Sequence, residues 1–152
     1  MTINEYLGKV PALKYKAERA AARYQELVTR ATSTGCGLNL GATGQRIKGG
    51  GNVTEDKLIA MTDAGKASRA AYTRYIEFRD QLEKDIDNLL YWQGCLIYRV
   101  YLYNVIVEAS DDLNGAGDIL RTDDRREILA KLTEAKAALA DILRGRGVDI
   151  EN

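Results

Sequence analysis

Apolar residues recur along this chain at the spacing of a helix. From Val10 they fall at Val10, Leu13, Ala17, Ala20, Tyr24, Leu27 and Ala31, an unbroken seam of steps of three and four. The seam predicts a first long helix over 1–33. Lys14, Lys16, Arg19, Arg23 and Arg30 flank it with Glu18 and Glu26, and the alanines in its middle let a partner helix approach closely. Pro11 has no backbone donor, so Thr2–Val10 reads either as a separate short turn or as a kinked extension of the helix.

A second stripe follows after "GGGN". Asn52 with Glu55 three residues later matches a capping box, and Leu58, Met61, Tyr72, Tyr75, Leu82, Ile86 and Leu89 carry the apolar face. No proline interrupts the chain from there, so 53–113 reads as a second long helix with an aromatic segment. "DLNGAGD" reads as a turn. Thr122 is then the expected N-cap of a last helix over 118–145, with Ile128, Leu132, Ala135, Leu139 and Ile142 as its core face and "GRG" as its stop. The fold class these patterns predict is all-α: a long antiparallel helical hairpin with a small C-terminal helical region. Neither long helix buries its stripe alone, and the expectation is a homodimer through an apolar seam.

Between the two stripes, residues 34–52 hold seven of the fourteen glycines. A phosphate-binding loop needs a glycine pair followed by Lys-Ser or Lys-Thr between a strand and a helix; no glycine pair here is so followed, and no strand is expected before Gly35. The segment reads as a Gly-rich flexible connector.

Charge and composition narrow the chemistry. The chain has 22 basic and 22 acidic residues, but residues 1–54 carry eight Lys/Arg against three Asp/Glu while 111–152 carry seven against ten. The basic N-terminal face reads chiefly as a solubilising one. The chain has no histidine, which removes imidazole catalysis and His-based metal sites. Cys36 and Cys95 lie far apart in sequence and read as reduced thiols, and the first twenty residues have no apolar signal region, so the compartment expected is the cytoplasm. The stretch 89–107 approaches the length of a membrane span, but Arg99 near its middle costs about 2.5–3.5 kcal/mol there, so no membrane segment is expected. Asp85 and Asp87 sit two apart and read as solvated carboxylates rather than an acid–base pair. No catalytic residue, metal ligand or cofactor is expected, and the chain reads as a non-enzyme.

The candidate binding residues are aromatic. Tyr91, Trp92, Tyr98, Arg99 and Tyr103 crowd into thirteen positions, and aromatics with polar tips dominate protein interfaces. At 3.6 residues per turn Trp92, Arg99 and Tyr103 share one helix face and Tyr91, Cys95 and Tyr98 another, which suits a core as well as a partner surface.

The strings "ATSTGCGL", "EDKLIAMTD" and "YTRYIEFRDQLEKDIDNL" resemble the ArpU-like, sigma-factor-like small regulators encoded by phages of Gram-positive bacteria. The likeness runs from about Tyr6 to Tyr103. It implies a phage or prophage protein with a coiled-coil front half and a helix-turn-helix behind it. In this chain that second part departs from the family pattern: Arg121, Arg125 and Arg126 are interleaved with Asp118, Asp123, Asp124 and Glu127, and acids facing phosphates oppose binding. The leading expectation is therefore a protein–protein effector or inhibitor of host machinery. Its partner would be a protein or ribonucleoprotein, either host RNA polymerase or a defence nuclease complex such as CRISPR-Cas. The alternative is a DNA-binding transcription regulator that contacts phosphates or bases through Arg121, Arg125 and Arg126.

Overall fold

Thr2 and Glu5 start the first helix by a reciprocal cap. The Glu5 backbone N–H donates to Thr2 Oγ1 at 3.2 Å, and the Thr2 N–H donates to Glu5 Oε2 at 2.7 Å. Those bonds to its charged form hold the Glu5 carboxyl below the ordinary glutamate range, the Thr2 backbone bond being the larger cause. From this cap α1 runs Ile3–Gly35 as one helix, with Pro11 inside it, so Thr2–Val10 is a continuation and not a separate turn. The structure, a computed structural model, describes residues 1–35, 50–103 and 112–151, with side chains given for these except 33–35, 50–54 and 112–115.

The other elements are α2 (Gly50–Ile86), α3 (Tyr91–Ile97) leading into a π-helical stretch (Tyr98–Tyr103), α4 (Asp112–Leu120) and α5 (Arg125–Gly145). Among the described residues there is no strand, and α1 and α2 pack against each other as a helical hairpin. The Gly-rich connector and Cys36 lie almost wholly outside the described residues, as do the side chains of the Asn52 cap. The helix already begins at Gly50, two residues before that cap. Two compact units divide the chain, Met1–Lys14 with Tyr75–Asn152, and Tyr15–Arg74.

In the unit Tyr15–Arg74 the first seam is confirmed residue by residue: Ala17 is buried, and Ala20, Tyr24, Leu27 and Ala31 are half-buried. The predicted second stripe holds at Met61, Tyr75, Leu82, Ile86 and Leu89, which are buried or half-buried, and fails at two positions. Leu58 and Tyr72 are 50% and 60% exposed, while Met61, Ala64, Ser68 and Ala71 turn inward with the buried Gly65. Small residues win these positions because the helices come close. A Cβ on Gly65 would sit 3.1 Å from the Tyr24 ring.

In the other unit the ends of the hairpin join the C-terminal helices. Leu7 and Val10 of α1, Leu82 of α2, Leu96, Ile97 and Leu102 of the α3–π segment, and Leu139 and Leu143 of α5 are completely buried. Each contributes about 1.5–3 kcal/mol by leaving water. α3 packs on α4 and α5, and the π-helical stretch packs on α4.

The predicted second element, 53–113, is divided. α2 ends at Ile86, where Asn88 N–H and Leu89 N–H tighten onto the carbonyls of Asp85 and Ile86, and Asn88 Nδ2 donates to Lys84 O at 2.8 Å. Gln93, itself buried, then accepts the Leu90 N–H at 3.3 Å to open α3. "DLNGAGD" is helix α4 rather than a turn; the turn comes at 121–124. Gly117 permits it, because a Cβ there would meet Thr122 O at 2.9 Å. Arg121 takes the left-handed conformation (φ 53°) while Thr122 N–H closes on Gly117 O at 3.2 Å. Asp124, not Thr122, caps α5, accepting from Arg126 N–H at 2.9 Å; Thr122 supports it from behind, accepting from Asp124 N–H. At the far end "GRG" stops α5 as predicted: Gly147 has φ 86°, with Gly147 N–H on Arg144 O and Val148 N–H on Leu143 O.

Asp85 overturns the solvated reading. Its side chain is 5% exposed and lies 3.0 Å from the Arg146 guanidinium, and Gln81 Nε2 donates to its other oxygen at 3.3 Å. The same Arg146 nitrogen donates to Tyr6 Oη at 2.9 Å. One ion pair thus joins α1, the end of α2 and the turn after α5. Asp87 is exposed, as predicted.

Candidate functional site

The end of α2, the turn at 87–90, α3 and the last turn of α4 enclose a cleft of about 820 Å³. Its walls are aliphatic at Ile86, Leu89, Leu90 and Ile119, and aromatic at Tyr91, Tyr98 and Tyr103. Cys95, a free and half-buried thiol, lies among them. Tyr91 and Leu90 stand 89% and 63% exposed at this site, an unusual place for large apolar surface.

Local helix geometry assembles these groups. Tyr91, Cys95 and Tyr98 follow one another at steps of four and three on α3. The π-helical stretch, with its wider i→i+5 bonding, turns less per residue, so Tyr103 comes closer to the face of Tyr98 and both line the cleft. Arg99 follows, its guanidinium carbon 4.1 Å above the Tyr103 ring. Four of the five predicted binding residues, Tyr91, Tyr98, Arg99 and Tyr103, are therefore brought to one cleft. A regular 3.6-residue helix would have split them between two faces.

Trp92 is the fifth, and it is elsewhere. It is half-buried, with Lys131 Nζ of α5 4.9 Å from its ring. It belongs to the packing between α3 and α5.

Sequence reasoning missed Leu89, Leu90, Asp87, Asp118 and Ile119 as cleft residues. The Leu89–Leu90 pair directly before the tyrosines was a usable signal; Asp118 and Ile119 arrive only through the fold. Asp87 and Asp118 are exposed, and among the described residues neither has a hydrogen-bonded or ion-paired side-chain partner. The cleft thus offers apolar surface, three phenol rings and two carboxylates against one guanidinium already seated on a ring.

The alternative set, Arg121, Arg125 and Arg126, gathers in the turn before α5 and in its first turn, all three exposed. Asp123, Asp124 and Glu127 are exposed around them, and Asp124 already occupies the helix N-terminus that would draw a phosphate. Among the described residues no group of three or more acidic or thiol side chains is placed to hold a metal ion. None of the described helices is long and apolar enough to cross a membrane. Compared with models of protein families, with curated proteins and with solved structures, the chain matches none.

Proposed function

We propose that this chain is a non-enzymatic binding protein that docks a segment of a host protein or ribonucleoprotein in the cleft of Leu90, Tyr91, Tyr98, Arg99 and Tyr103. The observation that carries the reading is the cleft itself: about 820 Å³ of mainly aliphatic and aromatic wall with Leu90 and Tyr91 left in water. Aromatic anchors around a concave apolar site are what a docking segment needs, and tyrosine supplies area at low conformational cost. The likeness of "ATSTGCGL" and "EDKLIAMTD" to the sigma-like phage regulators supports a cytoplasmic phage or prophage effector. Its target would be host RNA polymerase or a defence nuclease complex. The acids interleaved with Arg121, Arg125 and Arg126 disfavour DNA as the principal partner.

The test is affinity capture from a Gram-positive host lysate, with and without nuclease. Wild type is compared with Leu90→Ser/Tyr91→Ser and with Arg125→Glu/Arg126→Glu. The expected result is a stoichiometric, nuclease-resistant protein that the first variant loses and the second keeps. Capture of nuclease-sensitive DNA, lost only with the arginine variant, would overturn the reading in favour of the DNA regulator. Both pairs of side chains are exposed, so circular dichroism should be unchanged in each.

A further inference from the structure

The two compact units carry opposite charge. Tyr15–Arg74 holds ten Lys/Arg against five Asp/Glu, and the remainder of the chain holds twelve against seventeen. On α1 the surplus is ordered. Lys16, Arg19, Arg23, Glu26 and Arg30 step by three and four along a face that flanks the hairpin seam, and all five are exposed. Arg19, Arg23, Glu26 and Arg30 rim a shallow groove of about 450 Å³ over Ala22 and Leu27. Lys16, Arg23 and Arg30 recur every seventh residue, about 10.5 Å apart along the helix.

An opposite ladder lies on α5. Glu127, Ala130, Glu134, Ala137 and Asp141 also step by three and four, all exposed and all on the face away from Ile128, Leu132, Ala135 and Leu139. Its acids recur at the same seven-residue interval, and the alanines between them let another helix lie close. Local partners are weak surface pairs: Lys131 to Glu134 at 2.9 Å, Arg144 to Asp141 at 2.7 Å, Thr122 to Glu127 at 2.9 Å, and on α1 Arg30 to Glu26 at 2.6 Å.

We propose that a second copy of this chain lies along that exposed face of α1, seating Glu127, Glu134 and Asp141 of its α5 against Lys16, Arg23 and Arg30. Equal repeat, opposite sign and exposure at every position carry the inference, and it does not depend on the aromatic cleft.

The experiment is sedimentation velocity on the full, nuclease-treated chain over a concentration series, at about 50 mM salt and at about 1 M, where the Debye length falls to about 3 Å. Self-association is expected at low salt and its loss at high salt. Glu134→Lys/Asp141→Lys and Arg23→Glu/Arg30→Glu are each expected to weaken it by about tenfold or more. Mixing those two variants should restore a one-to-one complex. The neutral pair Glu134→Gln/Asp141→Asn gives the same weakening with the least disturbance to the helix. A monomer at low salt, association indifferent to salt, association that needs nucleic acid, or two helical variants that fail to pair would each overturn the proposal.

Discussion

Arg146→Met should destabilise the protein by about 2–3 kcal/mol. The Asp85 carboxylate is 5% exposed, and its stabilising neighbours are the Arg146 guanidinium at 3.0 Å and the Gln81 amide at 3.3 Å. Removing one partner of a fully buried ion pair costs about 3–5 kcal/mol, because the other charge is left without compensation. Arg146 is 34% exposed, so water can enter the space it vacates, and the expected loss is nearer 2–3 kcal/mol. The change also removes the donor to Tyr6 Oη, worth about 0.5–1.5 kcal/mol, which is included in that figure. Methionine keeps most of the stem, so the loss is one of charge and hydrogen bonding rather than packing. Urea unfolding followed by circular dichroism measures the change. A fall in midpoint with unchanged slope marks lost stability and not a loosened native state. The companion is Asp85→Leu/Arg146→Met, which removes both charges and should recover much of the loss, since a buried pair replaced by apolar groups is often neutral. If Arg146→Met shifts stability by less than about 0.5 kcal/mol, or the double variant is as weak as the single one, Asp85 does not depend on Arg146 and the reasoning fails.

Two further outcomes follow from the same unit. Burial pushes the Tyr6 phenol up, the Asp85 charge adds to that, and Arg146 opposes it. A raised folded value means that Tyr6 contributes stability that is complete below its ordinary value near pH 10 and disappears as pH climbs through the folded value. Phenolate absorbance of wild type minus Tyr6→Phe should therefore show one late-titrating tyrosine, and a Tyr6 that ionises at or below pH 10 would sink the assignment. Arg121 holds φ 53° at the end of α4, where a side chain costs about 1–2 kcal/mol that glycine avoids. Allowing for the added freedom of glycine in the unfolded chain, Arg121→Gly should stabilise by about 0.5–1 kcal/mol in urea unfolding. A destabilised variant would mean that the arginine side chain itself holds the turn.

How far the sequence determines this molecule depends on residue size. The α1 seam was legible because Val10, Leu13, Tyr24 and Leu27 stand out at heptad spacing, and the last helix because Ile128, Leu132 and Leu139 do. The facing seam was only partly legible because close approach selects for smallness. Met61 was legible, but Ala64, Gly65, Ser68 and Ala71 carry almost no hydrophobic signal, while Leu58 and Tyr72, which do, are exposed. Asp85 shows the same limit for charge, since its partner, Arg146, lies 61 positions away and only the fold brings it near.

The aromatic cleft was half legible for a more specific reason. Composition located Tyr91, Tyr98, Arg99 and Tyr103, but a 3.6-residue period separated them, and only the wider π-helical repeat over Tyr98–Tyr103 puts them together. That repeat leaves a regular helix's hydrogen-bond ladder where the stretch packs on α4, and Leu102 within it is completely buried. The cleft depends on that helical form, and a substitution that let 98–103 relax to an α-helix would turn Tyr103 away from Tyr98 without removing a single aromatic ring.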